Sequence, residues 1–527
     1  MLILNILLFV VVLGVIILIH EAGHFYFAKR AGILCHEFSL GMGPALYQKR
    51  KGETVYSIRA IPIGGYVSMA GESVSDALIK EGQMIGLKMN EQKHVYRIIL
   101  FNSEEADVYG VVKSYDLYGK DFDPLYIELE NDEGITKYTV LRDAKYQLSP
   151  KKEMWITPAE KSFESKSLWH RFLVIFAGPL MNFILAFFLF LIVGFFVQKP
   201  NLDSTEVDQL VDGFGAHVAG MKSGDMITQI NGVPLLSWTD LSPRLDTLGV
   251  STVDLTYTHE GTAITVNDVP VSIGINMAGI TNTYQDPNTG LLTIYTDDPI
   301  IGQVVGRASL DGGLQVGDEI TEIKIANATH PIHNWNDIAA VFKLHSRGDM
   351  TVTYLREGVE KTGQYSLISR EAIIKLGAEP MTFKLGATPT ASFNWGYSLL
   401  YSPRKMASDM RSVFATLGIL FTPSEKVGVR DLSGPVGIYT LVTGTASQGI
   451  LAIIAFTGFL SINIGLLNLM PIPALDGGRL VFLGIEAVTR KPLPRKLENS
   501  INNIMFFLLM ALFIFVTYND IIRLIRG

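Results

Sequence analysis

The chain opens on an apolar run, Leu2 to Ile19, in which Asn5 is the one polar side chain. The run ends in His20-Glu21-Ala22-Gly23-His24 and resumes from Phe25 to Ala28. A stretch of this length and composition reads as a membrane-spanning helix. In lipid the backbone must pair within its own segment, so helix is the only local solution. Ionisable groups inside a span are costly and by default point to function. Helical spacing sets His20 and His24 one turn apart on one face, where they can share a Zn²⁺ with Glu21 beside the metal. Buried histidines bonded to backbone carbonyls are the plainer alternative. The cost of an uncompensated His-Glu-His cluster in lipid favours the metal.

Three further runs are long and apolar enough to span: Phe172–Val197, Ile450–Met470 and Ile501–Tyr518. The first run lacks a basic leader and a small-residue cleavage site, so it reads as a retained anchor. Lys29, Arg30 and Lys49–Lys51 follow the first span. Lys161, Lys166 and Arg171 precede the second. Arg479, Arg490, Lys491, Arg495 and Lys496 lie between the third and fourth. By the positive-inside rule these loops are cytoplasmic and the region from about 198 to 449 lies outside. Arg523 and Arg526 oppose that orientation and are outvoted. At about 1.5 Å per residue, His20 sits about 27 Å along the helix from Leu2, in a hydrocarbon core about 30 Å thick. The motif therefore falls in the membrane, towards its cytoplasmic side. A net charge of −7 offers no support for a nucleic-acid partner, and the single cysteine, Cys35, allows no internal disulfide.

A catalytic zinc takes three protein ligands and keeps one position open. The third span runs outside to inside, like the first, and ends in Asn468-Leu469-Met470-Pro471-Ile472-Pro473-Ala474-Leu475-Asp476-Gly477-Gly478. Asp476 thus reaches about the depth of His20 and His24. Its position alone leaves it equally a solvated cap at a helix end.

His20–His24 together with Asn-x-x-Pro-x-Pro-x-Leu-Asp-Gly resembles the site-2 protease family of intramembrane zinc metalloproteases, in its bacterial RseP/RasP-like branch. Further segments carry the likeness in the same order: His36–Pro44, Tyr56–Arg59 with Pro62–Val67, Gly178-Pro179-Leu180-Met181-Asn182, and Leu432–Ile438. The resemblance implies that His20, His24 and Asp476 hold one Zn²⁺ per chain and that Glu21 is the catalytic base. It implies a membrane-reentrant β-hairpin whose Gly64, Gly65 and Tyr66 bind the unwound substrate, with Asn182 and Asn468 holding substrate or positioning the site. Without the family, the hairpin would read as an ordinary cytoplasmic turn.

Residues 201–390 contain a repeat. Gly220–Ile230 and Gly313–Ile323 share Gly-x-x-x-Gly-Asp-x-Ile-x-x-Ile, and each is followed by Trp-x-Asp-Leu/Ile, at Trp238 and Trp335. The pattern resembles PDZ domains of bacterial envelope proteases. The second copy departs from it by Gly312 and an insertion at 326–330. The cytoplasmic insertion 72–165 has strand-like runs at Val95–Phe101, Leu125–Leu129 and Tyr138–Leu141, and suggests no chemistry. Residues 396–420 mix apolar and basic side chains and suit an interfacial amphipathic helix or a plain connector.

The expected fold is a polytopic α-helical membrane protein with four transmembrane helices, a reentrant β-hairpin and extracytoplasmic tandem PDZ-like domains. In order, these are helix 1 (1–28), the Gly-rich segment and hairpin (29–71), the β-rich insertion (72–171) and helix 2 (172–197). Two PDZ-like domains (201–300 and 301–390), a connector (391–449), helix 3 (450–478) and helix 4 (501–518) follow. The expected activity is zinc-dependent endoproteolysis of single-span membrane segments, such as anti-sigma factors or signal-peptide remnants. The expected setting is the bacterial inner membrane, with the lipid bilayer and peptide ligands of the PDZ-like domains as further partners. A scaffold with a structural zinc and a metal transporter remain alternatives. The intact Glu21 weighs against the first, and the single compact ligand set against the second.

Overall fold

The computed structural model describes residues 2–71, 78–101, 105–132, 134–150, 152–422 and 432–526. Two compact units divide the chain: residues 1–189 with 439–512, and residues 190–438 with 513–527. Among the described residues, four helices are long and apolar enough to cross a membrane: Ile3–Arg30, Leu168–Phe196, Ile450–Leu469 and Lys496–Leu524. The last is longer than the run read from the sequence, because Glu498, Asn499, Asn502 and Asn503 interrupt apolarity without breaking a helix. Lys29 and Arg30 complement the dipole at the first helix's end, and Gly32 (φ 69°) turns the chain away.

In the first unit, small residues set the helix spacing. A methyl on Gly23 would overlap the Ala177 carbonyl oxygen, so the first two helices meet backbone to backbone. Gly465 lets the third helix approach Pro179 and Asn182, and Ser461 Oγ donates to the Asn182 carbonyl at 2.8 Å. The third helix ends at Leu469, Pro471 and Pro473 prevent its continuation, and a new helix, Asp476–Thr489, starts after a short turn. Methyls on Gly477 and Gly478 would overlap the carbonyl oxygens of Met470 and Ile472, so that turn closes only with glycine.

Cys35–Lys51 and Thr54–Met69 form an antiparallel pair, but a more folded one than a simple hairpin. Glu37–Leu40 is paired twice, to Gly65–Ser68 on one side and to Val55–Ile58 on the other. Gly41 (φ 86°) and Gly43 (φ 81°) supply the left-handed bends that fold the strand back. Glu37 Oε1 accepts from Ser57 Oγ (2.5 Å) and from Arg59 (2.7 Å), and Arg59 also donates to the Gly43 carbonyl (2.6 Å). Gly65–Met69 is left as one edge among the described strands.

The insertion is a small barrel. Val95–Ile99, Met84–Met89, Val108–Asp116, Tyr126–Asn131 and Gly134–Ser149 pair in that order, and a parallel pairing of the last with the first closes the ring. The strand-like runs of the sequence overlap these strands, with Leu100, Phe101 and Leu125 just beyond their ends. Ile85, Leu87, Val95, Ile98, Val112, Ile127, Leu129 and Tyr146 fill the interior.

The second unit carries the repeat. One sheet runs Val233–Pro234, Met226–Ile230, Thr252–His259, Thr262–Pro270; the other runs Ala328–Pro331, Glu319–Ile325, Asp349–Arg356, Val359–Ser366. Equivalent atoms bond alike. Asp225 accepts from the Lys222 N–H (2.8 Å) as Asp318 does from that of Gln315 (2.7 Å). The tyrosines of the two copies both bond to the start of their motif, one residue apart: Tyr257 donates to the Ala219 carbonyl (3.0 Å) and Tyr354 to that of Gly313, the counterpart of Gly220 (3.4 Å). The copies also interleave: Val207–Leu210 pairs with Ala387–Pro389, and Ser272–Ile275 with Met381–Lys384. Beyond them the helix Trp395–Leu420 exposes Trp395, Leu399, Leu400 and Phe414. Residues 423–431 of the connector lie outside the described residues. Asp520, buried on the fourth apolar helix, accepts the N–H groups of Gly434 and Gly437 at 2.8 Å each and caps the helix Pro435–Ala446.

Candidate metal centre

His20 and His24 leave the first helix one turn apart and turn the same way. Their Nε2 atoms are 3.2 Å apart, and Asp476 Oδ2 lies 3.2 Å from the first and 3.4 Å from the second. A zinc with four ligands at about 2.0–2.1 Å has ligand–ligand edges of about 3.3–3.4 Å. The observed triangle is one face of such a tetrahedron. Both histidines are buried, at 8% exposure each.

The neighbours fix which ring nitrogens face the triangle. His24 Nδ1 lies 2.7 Å from the Val174 carbonyl oxygen, so Nδ1 carries the proton and Nε2 presents its lone pair. Asn182 is fully buried, with its Nδ2 placed 3.2 Å from His20 Nδ1 and its Oδ1 without a partner. With the amide oxygen and nitrogen exchanged, Oδ1 accepts from His20 Nδ1–H, and His20 Nε2 also presents a lone pair. Three lone pairs thus converge with no hydrogen to share. Such a cluster repels itself unless a cation sits at its centre, and the donor set of two imidazoles and a carboxylate suits zinc.

The space for the ring pair depends on Gly178. A methyl there would overlap His24 Nε2 and crowd His20 Cε1. Beside the triangle lies a cavity of about 510 Å³ whose lining includes Glu21, Met42, Gly64, Gly65, Tyr66, Asn468 and Arg479. A methyl on Gly65 would stand 2.9 Å from the Ser39 carbonyl and 3.1 Å from Glu21 Cγ, so this position too is held to glycine. His20, His24 and Asp476, taken from two distant motifs, meet at one point. Glu21, Gly64, Gly65, Tyr66 and Asn468 share their cavity. Asn182 does not line it; its amide stands behind His20. Val174 and Gly178 were not singled out, although Gly178-Pro179 was visible as a motif.

The sequence pattern of peptidase family M50, the site-2 protease family, matches residues 8–512. The chain belongs to that family. This M50 peptidase is 31% identical over 526 residues to the zinc metalloprotease RasP of Shouchella clausii, across 99% of both chains. It is 30% identical over 522 residues to the zinc metalloprotease RasP of Bacillus licheniformis, and 29% over 522 residues to the regulator of sigma-W protease RasP of Bacillus subtilis, each across 99% of both chains. The M50 peptidase is accordingly a zinc metalloprotease and a membrane protein, with Zn²⁺ as its cofactor.

Proposed function

We propose that this zinc metalloprotease is an intramembrane endopeptidase that cleaves single-span membrane protein segments. The observation that carries the reading is the triangle of His20, His24 and Asp476, built on a helix whose flanks are compatible with lipid. In this reading those three residues hold the zinc. Bound there, Zn²⁺ would supply a Lewis acid able to bring the pKa of water towards about 7 and to polarise a peptide carbonyl. Glu21, which lines the same cavity, would accept the proton of the water that adds to the scissile carbonyl and return it to the amine released as the C–N bond breaks. Val174 and Asn182 hold the two imidazoles in their ligating tautomers. Asn468 holds substrate from the third helix.

A substrate helix must unwind before it is cut, and its freed backbone groups need partners away from water. The edge Gly65–Met69 can take them up as an added strand, with Gly64, Gly65 and Tyr66 beside Glu21. In this reading the folded sheet is the membrane-reentrant element, and the Lys/Arg-rich loops support a cytoplasmic side for it and the barrel in the bacterial inner membrane. The repeat unit is then extracytoplasmic. Its duplicated sheets and matched bonds support two PDZ-like domains that receive peptides or exclude bulky ectodomains. The relative named regulator of sigma-W protease supports anti-sigma factors as a substrate class.

The test is Glu21→Gln in the full chain, assayed in proteoliposomes on single-span substrates. Zinc content should match the wild type while cleavage falls by about 10²–10⁴-fold, the usual loss of a general base. Undiminished cleavage by this variant would sink the mechanism.

A further inference from the structure

The first unit holds a second cavity, of about 730 Å³, larger than the one beside the metal triangle. Its walls are the barrel loop at Tyr118–Phe122, the connector from Ala159 to Lys166, the start of the second helix, and the segments around Phe482 and Leu493. Ile175 and Arg479 line both cavities, so the two abut.

The barrel loop has an unusual build. Gly119 (φ 57°), Asp121 (φ 55°) and Phe122 (φ 67°) are all left-handed. That conformation costs about 1–2 kcal/mol at each residue with a Cβ. The result is a phenyl ring left 74% exposed at the cavity. The loop is not loose. Asp116 Oδ1 accepts the N–H groups of Tyr118 (2.9 Å) and Gly119 (2.8 Å), and Arg142 donates to the Asp123 carbonyl (2.7 Å) while standing over the Phe122 ring at 5.3 Å. Strain that is held in place and presents an apolar group calls for a functional reason. The charged groups around the cavity carry both signs, and Arg171 is paired with Glu486. Such a rim selects neither an anionic nor a cationic small molecule. Apolar side chains such as Phe122, Phe163 and Phe482, interspersed with charges of both signs, suit a peptide.

We propose that this cavity receives the flank of the substrate chain on the barrel side of the cleaved bond, with Phe122 as its apolar anchor. The proposal rests on the intramembrane endopeptidase reading. The occupant follows from adjacency: the edge Gly65–Met69 ends two residues before Gly71, which lines the second cavity, and Ile175 and Arg479 line both cavities, so a chain seated on that edge is led towards the second cavity. The barrel then extends the active site along the polypeptide and makes cleavage depend on sequence beyond the span.

Two single-span substrates test this, one with a long flank on the barrel side and one trimmed close to the cleaved bond. In the full chain, Phe122→Gly should raise KM for the long-flank substrate about five- to tenfold with kcat unchanged, and leave the trimmed substrate unaffected. A purely structural role predicts the reverse: glycine relieves the left-handed strain, so thermal stability holds or rises and neither KM moves. In a Glu21→Gln background, benzoylphenylalanine at position 122 should crosslink to the long flank, and at Ile135, exposed elsewhere on the barrel, it should not. Equal KM values for Phe122→Gly and the wild type on both substrates would overturn the proposal. So would capture of the substrate from position 42, in the metal cavity, with none from position 122. If the wild type with zinc bound cleaves neither substrate, the endopeptidase reading itself falls, and this proposal with it.

Discussion

Gly178 and Asn182 lie four residues apart on one helix and act on the same pair of rings. Gly178 leaves the room in which His20 and His24 turn towards Asp476, because any Cβ would overlap His24 Nε2. Asn182 faces the far side of His20 and sets its tautomer. Gly178→Ala should therefore displace both imidazoles and abolish stoichiometric zinc binding, read by metal analysis of the purified protein. Asn182→Ala removes an outer partner of one ligand. It should weaken zinc affinity about 10–100-fold in a chelator competition while the protein keeps its fold. Zinc retention equal to the wild type in both variants would remove these residues from the account. The histidine pair was legible in sequence because its spacing is local and set by the helical repeat. Neither Gly178 nor Asn182 could be given this role, because the second helix is apolar around most of its circumference. Without a polar face, sequence does not specify which side turns towards the first helix. Asp476 was an intermediate case: its depth followed from topology, but its approach to the histidines needed the turn that Gly477 and Gly478 permit.

At the scale of elements, the sheet beside the metal triangle is anchored at its turn. Glu53 accepts from Lys161 at 2.7 Å and from Lys29 at 3.2 Å, tying the turn to the ends of two different segments. The Lys161 contact, reinforced by Lys29, holds the Glu53 carboxyl below its ordinary range against a smaller opposing effect of burial. A carboxylate with a depressed pKa contributes its stability in full above the unfolded value, about 4.3, and loses it as pH falls through the folded value. Hydrogen exchange around residues 51–54 should thus be unchanged between pH 7 and pH 5 once corrected for intrinsic rates, and accelerate in more acid solution. Glu53→Gln should raise exchange there at neutral pH, by the modest amount expected of a half-exposed ion pair, about 0.2–1 kcal/mol, and flatten the acid response. An acid response retained by the variant would assign it to another group. The sequence marked this region as a Gly-rich segment and a membrane-reentrant hairpin, and the structure has an antiparallel strand pair there. The double pairing of Glu37–Leu40 was not legible, because the second partner depends on how far Gly41 and Gly43 swing the chain. Alternation of apolar and polar residues cannot encode that angle.

At the scale of the whole molecule, the repeat unit raises a question of what folds alone. The motifs divide the sequence near residue 300, which suggests two consecutive domains. The strand pairings run across that division. Val207–Leu210, ahead of the first motif, pairs with Ala387–Pro389, beyond the second. Ser272–Ile275 pairs with Met381–Lys384. A continuous core runs from Val207 to Leu385 and includes both tyrosines, Tyr257 and Tyr354, and the buried Trp335. Cutting at residue 300 would strip the first copy of the strand that covers Val207–Leu210 and expose apolar residues that the second copy now covers. A fragment of residues 201–300 should therefore be unfolded or aggregated, whereas residues 199–392, which retain both closing strands, should unfold in one cooperative transition. Circular dichroism and thermal melts of the two fragments decide the matter. A folded 201–300 fragment with its own cooperative melt would show that the copies are independent and that their interleaving adds little. A single transition for the longer fragment alone would mean that the two copies fold as one cooperative unit, so that destabilising either copy unfolds both.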